Sequence, residues 1–170
     1  MPKVYLGFGS NLGDRQKHIL RAISALTGIS GIKFHRNSSI YETEPWGNKD
    51  QPGFLNSIVE VETDLSPQDL IKVLKDIENR LGRKKREKWM EREIDIDVLF
   101  YDNEVIKNDF LEIPHKEICN RKFILVPMCE LGRNFKHPLS GKKMFELLDE
   151  TKDESSVKLF STNTDKENRE

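Results

Sequence analysis

Asp95 and Asp97 stand two residues apart in the stretch Arg92-Glu93-Ile94-Asp95-Ile96-Asp97-Val98-Leu99-Phe100. The alternation predicts a strand, with Ile94, Ile96, Val98 and Phe100 on one face and the two carboxylates on the other. Residues two apart on a strand have Cα atoms about 6.5–7 Å apart and point the same way. Aspartate disfavours strands, and like charges on one face repel. A hard divalent cation between the acids removes that repulsion. Mg²⁺ suits the task, because it takes a few carboxylates and fills its shell with water and phosphate oxygens. A pair of such ions about 3.5–4 Å apart can clamp a phosphoryl group during in-line displacement. The competing reading is a solvated strand face whose acids pair with nearby lysine or arginine.

The preceding residues favour the cation. Gly82-Arg83-Lys84-Lys85-Arg86-Glu87-Lys88-Trp89-Met90-Glu91-Arg92 is dense in positive charge. A charge run alone is usually a solvated loop. Beside an acid pair it suits a polyphosphate: carboxylates hold metal, metal holds phosphate, and guanidinium groups take the remaining charge. A basic loop of this kind can also close over a substrate and exclude water.

The elements that must position these groups follow from periodicity. Residues 4–10 read as a buried strand ending in the turn-rich Gly9-Ser10-Asn11-Leu12-Gly13-Asp14. Asp14 can cap a helix whose Ile19, Ala22, Ile23 and Leu26 share a face, with Gly28 as its stop. Residues 32–43 alternate as one longer strand. Pro45, Gly47, Pro52 and Gly53 break the pattern before residues 54–63 resume it. Ser66-Pro67-Gln68-Asp69 starts a second helix with Leu70, Leu74, Ile77 and Leu81 on one face, ended by Gly82. With the acid-bearing strand the order is β-α-β-β-α-β. This predicts an α+β, ferredoxin-like sandwich, an antiparallel sheet with helices packed on it, followed by short C-terminal helices. The domain is expected over residues 1–150. The polar residues 151–170 are expected to form a flexible tail, whose removal beyond about residue 155 should change activity little.

Composition narrows the classes. The 28 basic and 29 acidic residues nearly cancel, so net charge points to neither nucleic acid nor membrane, and neither is an expected partner. Cys119 and Cys129 form no CxxC pair, which argues against a zinc site or a disulfide framework. No long apolar run or leader-like start is present. A cytoplasmic protein of a reducing compartment, working as a monomer, is the expectation.

Several stretches together resemble one family, the pterin pyrophosphokinase of folate biosynthesis. They are Gly9–Asp14 (GSNLGD), Tyr41–Gly47 (YETEPWG), Gln51–Asn56 (QPGFLN), Leu81-Gly82-Arg83, Trp89 with Arg92, Glu93–Asp97 (EIDID), Ile113-Pro114-His115 and Asn120–Phe123. They occur in the family's order and spacing over about residues 3–150. The resemblance implies transfer of the terminal pyrophosphoryl unit of ATP to the hydroxymethyl group of a reduced pterin, releasing AMP, with two Mg²⁺ ions. It implies a metal site at Asp95 and Asp97, and catalytic roles for these two with Arg83 and Arg92. For ATP it implies Arg83, Lys85, Trp89, Arg92, Val98, His115, Lys116 and Arg121. For the pterin it implies Thr43, Pro45, Trp46, Phe54, Asn56, Trp89, Asp95 and Phe123, with Phe54 and Phe123 stacking on the ring and Asn56 matching its edge.

Some positions depart from the family pattern. The family's loop ends Trp-Gly-Pro-Arg, where this chain has Trp89-Met90-Glu91-Arg92, which alters loop stiffness and adds an anion. Lys85 replaces a loop arginine and loses its planar fork. Phe110 stands where some members carry a basic residue, and Lys116 can supply part of that charge. Two other readings stay open at this point: a non-catalytic pterin or nucleotide binder on the same fold, and a pyrophosphokinase for another heterocyclic alcohol.

Overall fold

The computed structural model describes residues 1–45, 50–86 and 91–161. Strand β1 (Lys3–Ser10) leads into helix α1 (Arg15–Thr27). The Asp14 carboxylate accepts the Lys17 amide at 3.1 Å, the expected N-cap, and the helix stops at Gly28. Strands β2 (Ile32–Asn37), β3 (Ile40–Thr43) and β4 (Phe54–Thr63) precede α2 (Pro67–Arg80). Ser66 Oγ accepts the Asp69 amide at 3.1 Å at the start of α2, with Pro67 in its first turn. Strand β5 (Asp95–Tyr101) carries the acid pair. A short ribbon of β6 (Ile106–Lys107) and β7 (Glu112–Ile113), a 3₁₀ turn (Ile118–Asn120), α3 (Lys122–Gly132), α4 (Met144–Glu150) and β8 (Val157–Ser161) complete the described chain.

The main sheet runs β5-β1-β4-β3-β8 with every pairing antiparallel, and β2 pairs with the far half of β4. Taking β2 and β3 as two halves of one strand, the first four positions give the ferredoxin-like order. The single strand expected over residues 32–43 is therefore split at Ser38 and Ser39. Their hydroxyls take over the local bonding: Ser38 Oγ accepts the Ile58 amide at 2.8 Å, and the Ser39 amide and hydroxyl both donate to Glu130.

Two apolar layers sandwich the sheet. On one face Val4, Leu6, Phe8, Val59, Val61, Ile96 and Val98 meet Ile19 and Leu26 of α1 and Leu70, Leu74 and Ile77 of α2. On the other, Tyr5, Ile58, Leu99 and Phe100 meet Ile124, Leu125 and Met128 of α3 and Met144 and Leu147 of α4. A bulge sits in β5: Leu6 pairs with Val98 and Tyr5 with Phe100, leaving Leu99 extra. It turns Phe100 onto the α3 side, so the expectation that Phe100 shares a face with Ile96 and Val98 does not hold.

Residues 151–161 also differ from the frayed tail expected. β8 pairs along β3, with Val157 opposite Thr43 and Leu159 opposite Tyr41. It is an edge strand with Leu159 and Phe160 exposed, and Phe160 breaks the alternation that Val157 and Leu159 begin. Residues 162–170 lie outside the described residues. No described helix is long and apolar enough to cross a membrane.

Candidate active site

The site grows out of the pairing of β1 with β5 and β4. Gly7 lies opposite Asp97 and Gly9 opposite Asp95 across one ladder, while Gly9 lies opposite Asn56 across the other. Two glycines in a strand mark a place where something must approach the backbone. Here they floor a cavity of about 370 Å³, lined by Thr43, Phe54, Asn56, Arg92, Asp95, Asp97, His115, Lys116, Arg121 and Phe123 among others. That volume suits a small heterocycle.

Charge is concentrated at the acid pair. Asp95 accepts from Arg83 Nη1 at 2.9 Å through Oδ1 and from Arg92 Nη1 at 2.8 Å through Oδ2. Arg83 Nη1 also donates to Glu78 Oε2 at 2.8 Å, and Glu78 Oε1 accepts the Ile96 amide at 2.8 Å. Burial works against the Arg83 charge, but Asp95 and Glu78 outweigh it and hold the guanidinium firmly protonated. Glu78 is buried; burial, with the Asp95 charge, pushes its acid above the usual range against the Ile96 bond and Arg83. Asp97 is raised as well, first by burial and then by the charges of Asp95 and Glu78, which Arg92 and Arg83 only partly offset.

A carboxylate held in this unfavourable state is what a divalent cation relieves. Among the described residues no group of three or more acidic, histidine or cysteine side chains converges as a metal cage. Two aspartates leave the remaining positions to water and phosphate oxygens, which is the donor set Mg²⁺ prefers. The residues present therefore fit the ion.

His115 lies on the same cavity. Burial lowers its pKa, and its Nδ1 accepts the Glu117 amide at 3.2 Å, which leaves Nε2 as the protonated nitrogen of the neutral ring. Arg121 is buried and donates through Nε to Glu117 at 2.9 Å. On the apolar side, Asn56 Nδ2 donates to Thr43 Oγ1 at 3.1 Å, which fixes the amide between β4 and β3. The Arg92 guanidinium lies 5.9 Å from the centroid of the Phe54 ring, so the charged and aromatic parts of the site touch.

Asn11 joins the loops that carry these groups. It is fully buried. Its Oδ1 accepts the Arg92 amide at 2.8 Å, and its Nδ2 donates to Gln51 Oε1 at 2.7 Å and to the Pro52 carbonyl at 3.4 Å. Near the foot of the basic loop Arg86 makes a forked pair with Glu93, both contacts at 2.8 Å, which holds the Glu93 acid down to about 2.

Of the residues singled out from sequence, Thr43, Phe54, Asn56, Arg92, Asp95, Asp97, His115, Lys116, Arg121 and Phe123 come together on one cavity. Arg83 joins them through Asp95. The Val98 side chain is packed in the α1/α2 layer, Lys85 is exposed on its loop, and Pro45 is not part of the cavity wall. Trp46 and Trp89 lie outside the described residues. Sequence reasoning missed Glu78, Asn11, Gly7 and Gly9. Asn11 and Gly9 sit in the stretch GSNLGD, where a turn explained them well enough, and Glu78 looks like any polar helix residue.

Comparison with known proteins gives a consistent picture. The family described as 7,8-dihydro-6-hydroxymethylpterin-pyrophosphokinase (HPPK) matches residues 5–133. A 2-amino-4-hydroxy-6-hydroxymethyldihydropteridine pyrophosphokinase of Aquifex aeolicus is 41% identical over 160 residues, covering 94% of this chain and 96% of that protein. One of the same name from Haemophilus influenzae is 36% identical over 159 residues, covering 94% and 99%. Among solved structures, Plasmodium falciparum HPPK-DHPS wild type with pteroate superposes with a TM-score of 0.69 at 17% identity, a likeness of fold. The match covers 87% of this chain and 42% of that one, so the chain spans less than half of the solved protein.

Proposed function

The chain belongs to the 7,8-dihydro-6-hydroxymethylpterin-pyrophosphokinase family, which transfers a pyrophosphoryl group to hydroxymethyldihydropterin in folate biosynthesis, and from that premise we propose how its own residues do so. ATP is the donor. The pterin ring lies in the cavity between Phe54 and Phe123, whose faces suit a flat heterocycle. Asn56, held by Thr43, presents amide groups to the ring edge. The hydroxymethyl group then points towards Asp95 and Asp97.

The oxygen of that hydroxyl attacks the β-phosphorus of ATP. The bond from the β-phosphorus to the α,β-bridging oxygen breaks, AMP leaves, and the hydroxyl proton is released. Asp95 and Asp97 are the residues that would hold two Mg²⁺ ions, whose charge would neutralise the phosphates. Arg83 and Arg92, which pair with Asp95, exchange that carboxylate for triphosphate oxygens. His115, Lys116 and Arg121 line the same wall and take the remaining phosphate charge. No strong base is required, because positioning and charge neutralisation carry the acceleration. A monomer in the cytoplasm, where ATP and reduced pterins coexist, completes the proposal.

The observation that carries this reading is the convergence of Asp95, Asp97, Arg92, Arg121, the anchored Asn56, Phe54 and Phe123 on one cavity, with Arg83 joined to it through Asp95. The test is to incubate the protein with ATP, Mg²⁺ and hydroxymethyl-dihydropterin. AMP and the pterin pyrophosphate should appear one for one, and neither should form when Mg²⁺ is withheld. Formation of ADP, or of no nucleotide product, would overturn the reading.

A further inference from the structure

Helix α3 begins at Lys122, immediately before Phe123 and after Arg121, and both of these line the cavity. The first amides of a helix have no partner within it. Arg121 occupies the N-cap position, and a guanidinium has donors only. The acceptor comes instead from beyond α4: Asp153 Oδ2 accepts the Lys122 amide at 2.8 Å. A carboxylate is well placed there, because the start of a helix favours negative charge.

Asp153 is itself fixed. Its Oδ1 accepts the Ser155 amide at 2.9 Å and the Ser155 hydroxyl at 2.5 Å, and its own amide donates to Thr151 Oγ1 at 3.3 Å. Burial opposes its charge, yet the bonds from Ser155 and Lys122 keep its acid below the usual range.

The same segment grips the opposite wall. Val157 pairs with Thr43, whose hydroxyl anchors Asn56. The Ser156 amide reaches Glu44 Oε1, on the cavity wall, at 3.4 Å. The Phe160 ring centroid lies 5.7 Å from the Arg15 guanidinium, which donates to the Gly53 carbonyl at 2.8 Å beside Phe54.

We propose that residues 151–161 brace the pterin-binding walls against each other, and that Asp153 is a positioning residue for Phe123. This rests on the assignment of the cavity to the pterin. It also moves the functional boundary of the domain past residue 150.

The test compares full-length Asp153→Ala and Asp153→Asn with the unaltered chain in steady-state kinetics, varying each substrate in turn. Loss of a helix cap should raise the KM for the pterin by about three- to tenfold. The KM for ATP, and kcat at saturating pterin, should stay within about twofold, since the acid pair is untouched. Asp153→Asn keeps an acceptor and should restore most of the loss. Ser155→Ala, a gentler change, should move the pterin KM in the same direction and covers the case in which Asp153→Ala fails to fold. An unchanged pterin KM in these variants would overturn the proposal, as would a fall in kcat with both KM values constant, the mark of a purely structural role. Failure of the unaltered chain to use the pterin at all would instead defeat the assignment of the cavity.

Discussion

At the scale of single residues, the site holds like charges together against their own preference. Asp97 is raised by burial and by Asp95 and Glu78, so the folded chain holds that proton more tightly than the unfolded chain does. Stability from this source is complete below the ordinary aspartate value of 3.8 and is lost as pH rises through the raised folded value. Asp97→Asn removes the effect. Thermal melts should show the variant at least as stable as the unaltered chain, with the difference widening from about pH 5 to about pH 8. Activity should move the other way, falling by about 10²–10³-fold or more, as expected when a group that stabilises transition-state charge is removed. A variant that lost stability and activity together would make Asp97 a structural residue. The acid pair itself was legible from sequence, because two aspartates facing one way on an otherwise apolar strand demand an explanation. Glu78 was not legible, because its burial is created by the neighbouring strand: the Ile96 amide bonds to it only once α2 lies on β5.

At the scale of elements, the floor of the cavity depends on what β1 lacks. A Cβ on Gly9 would stand 2.9 Å from Asn56 Oδ1, closer than such atoms approach. Gly9→Ala should therefore displace the Asn56 amide and raise the pterin KM by about tenfold, with the KM for ATP little changed, as measured by substrate-by-substrate kinetics. Equal effects on both substrates would contradict the assignment of Asn56 to the pterin edge. Helices α1 and α2 were legible from their caps and apolar spacing, since Asp14 and Ser66 signal their starts locally. The split between β2 and β3, the bulge at Leu99 and strand β8 were not. Each depends on a distant partner: Ile58 and Glu130 for the serines, Tyr5 and Leu6 for the bulge, and β3 for the last strand.

At the scale of the whole molecule, one sheet carries α1 and α2 on one face, while its other face carries α3 and α4 beside the cavity. Asn11 ties the loop before Phe54 to the last residue of the basic loop, and that residue, Arg92, lies over Phe54. On the proposed mechanism, nucleotide binding draws Arg83 and Arg92 away from Asp95 and should therefore reach the pterin wall. Calorimetry should find pterin affinity raised by about 5- to 150-fold when a non-hydrolysable ATP analogue is bound. Full-strength pterin binding without nucleotide would contradict that coupling. Asp95 and Asp97 are proposed to gather divalent cations around the phosphates. The most direct test is to count Mn²⁺ bound per chain by electron paramagnetic resonance, with the ATP analogue present, for the unaltered chain and for Asp97→Ala. A pair of tightly bound ions is expected in the former and loss of at least one in the latter. The same number bound with the same affinity in both would contradict that role.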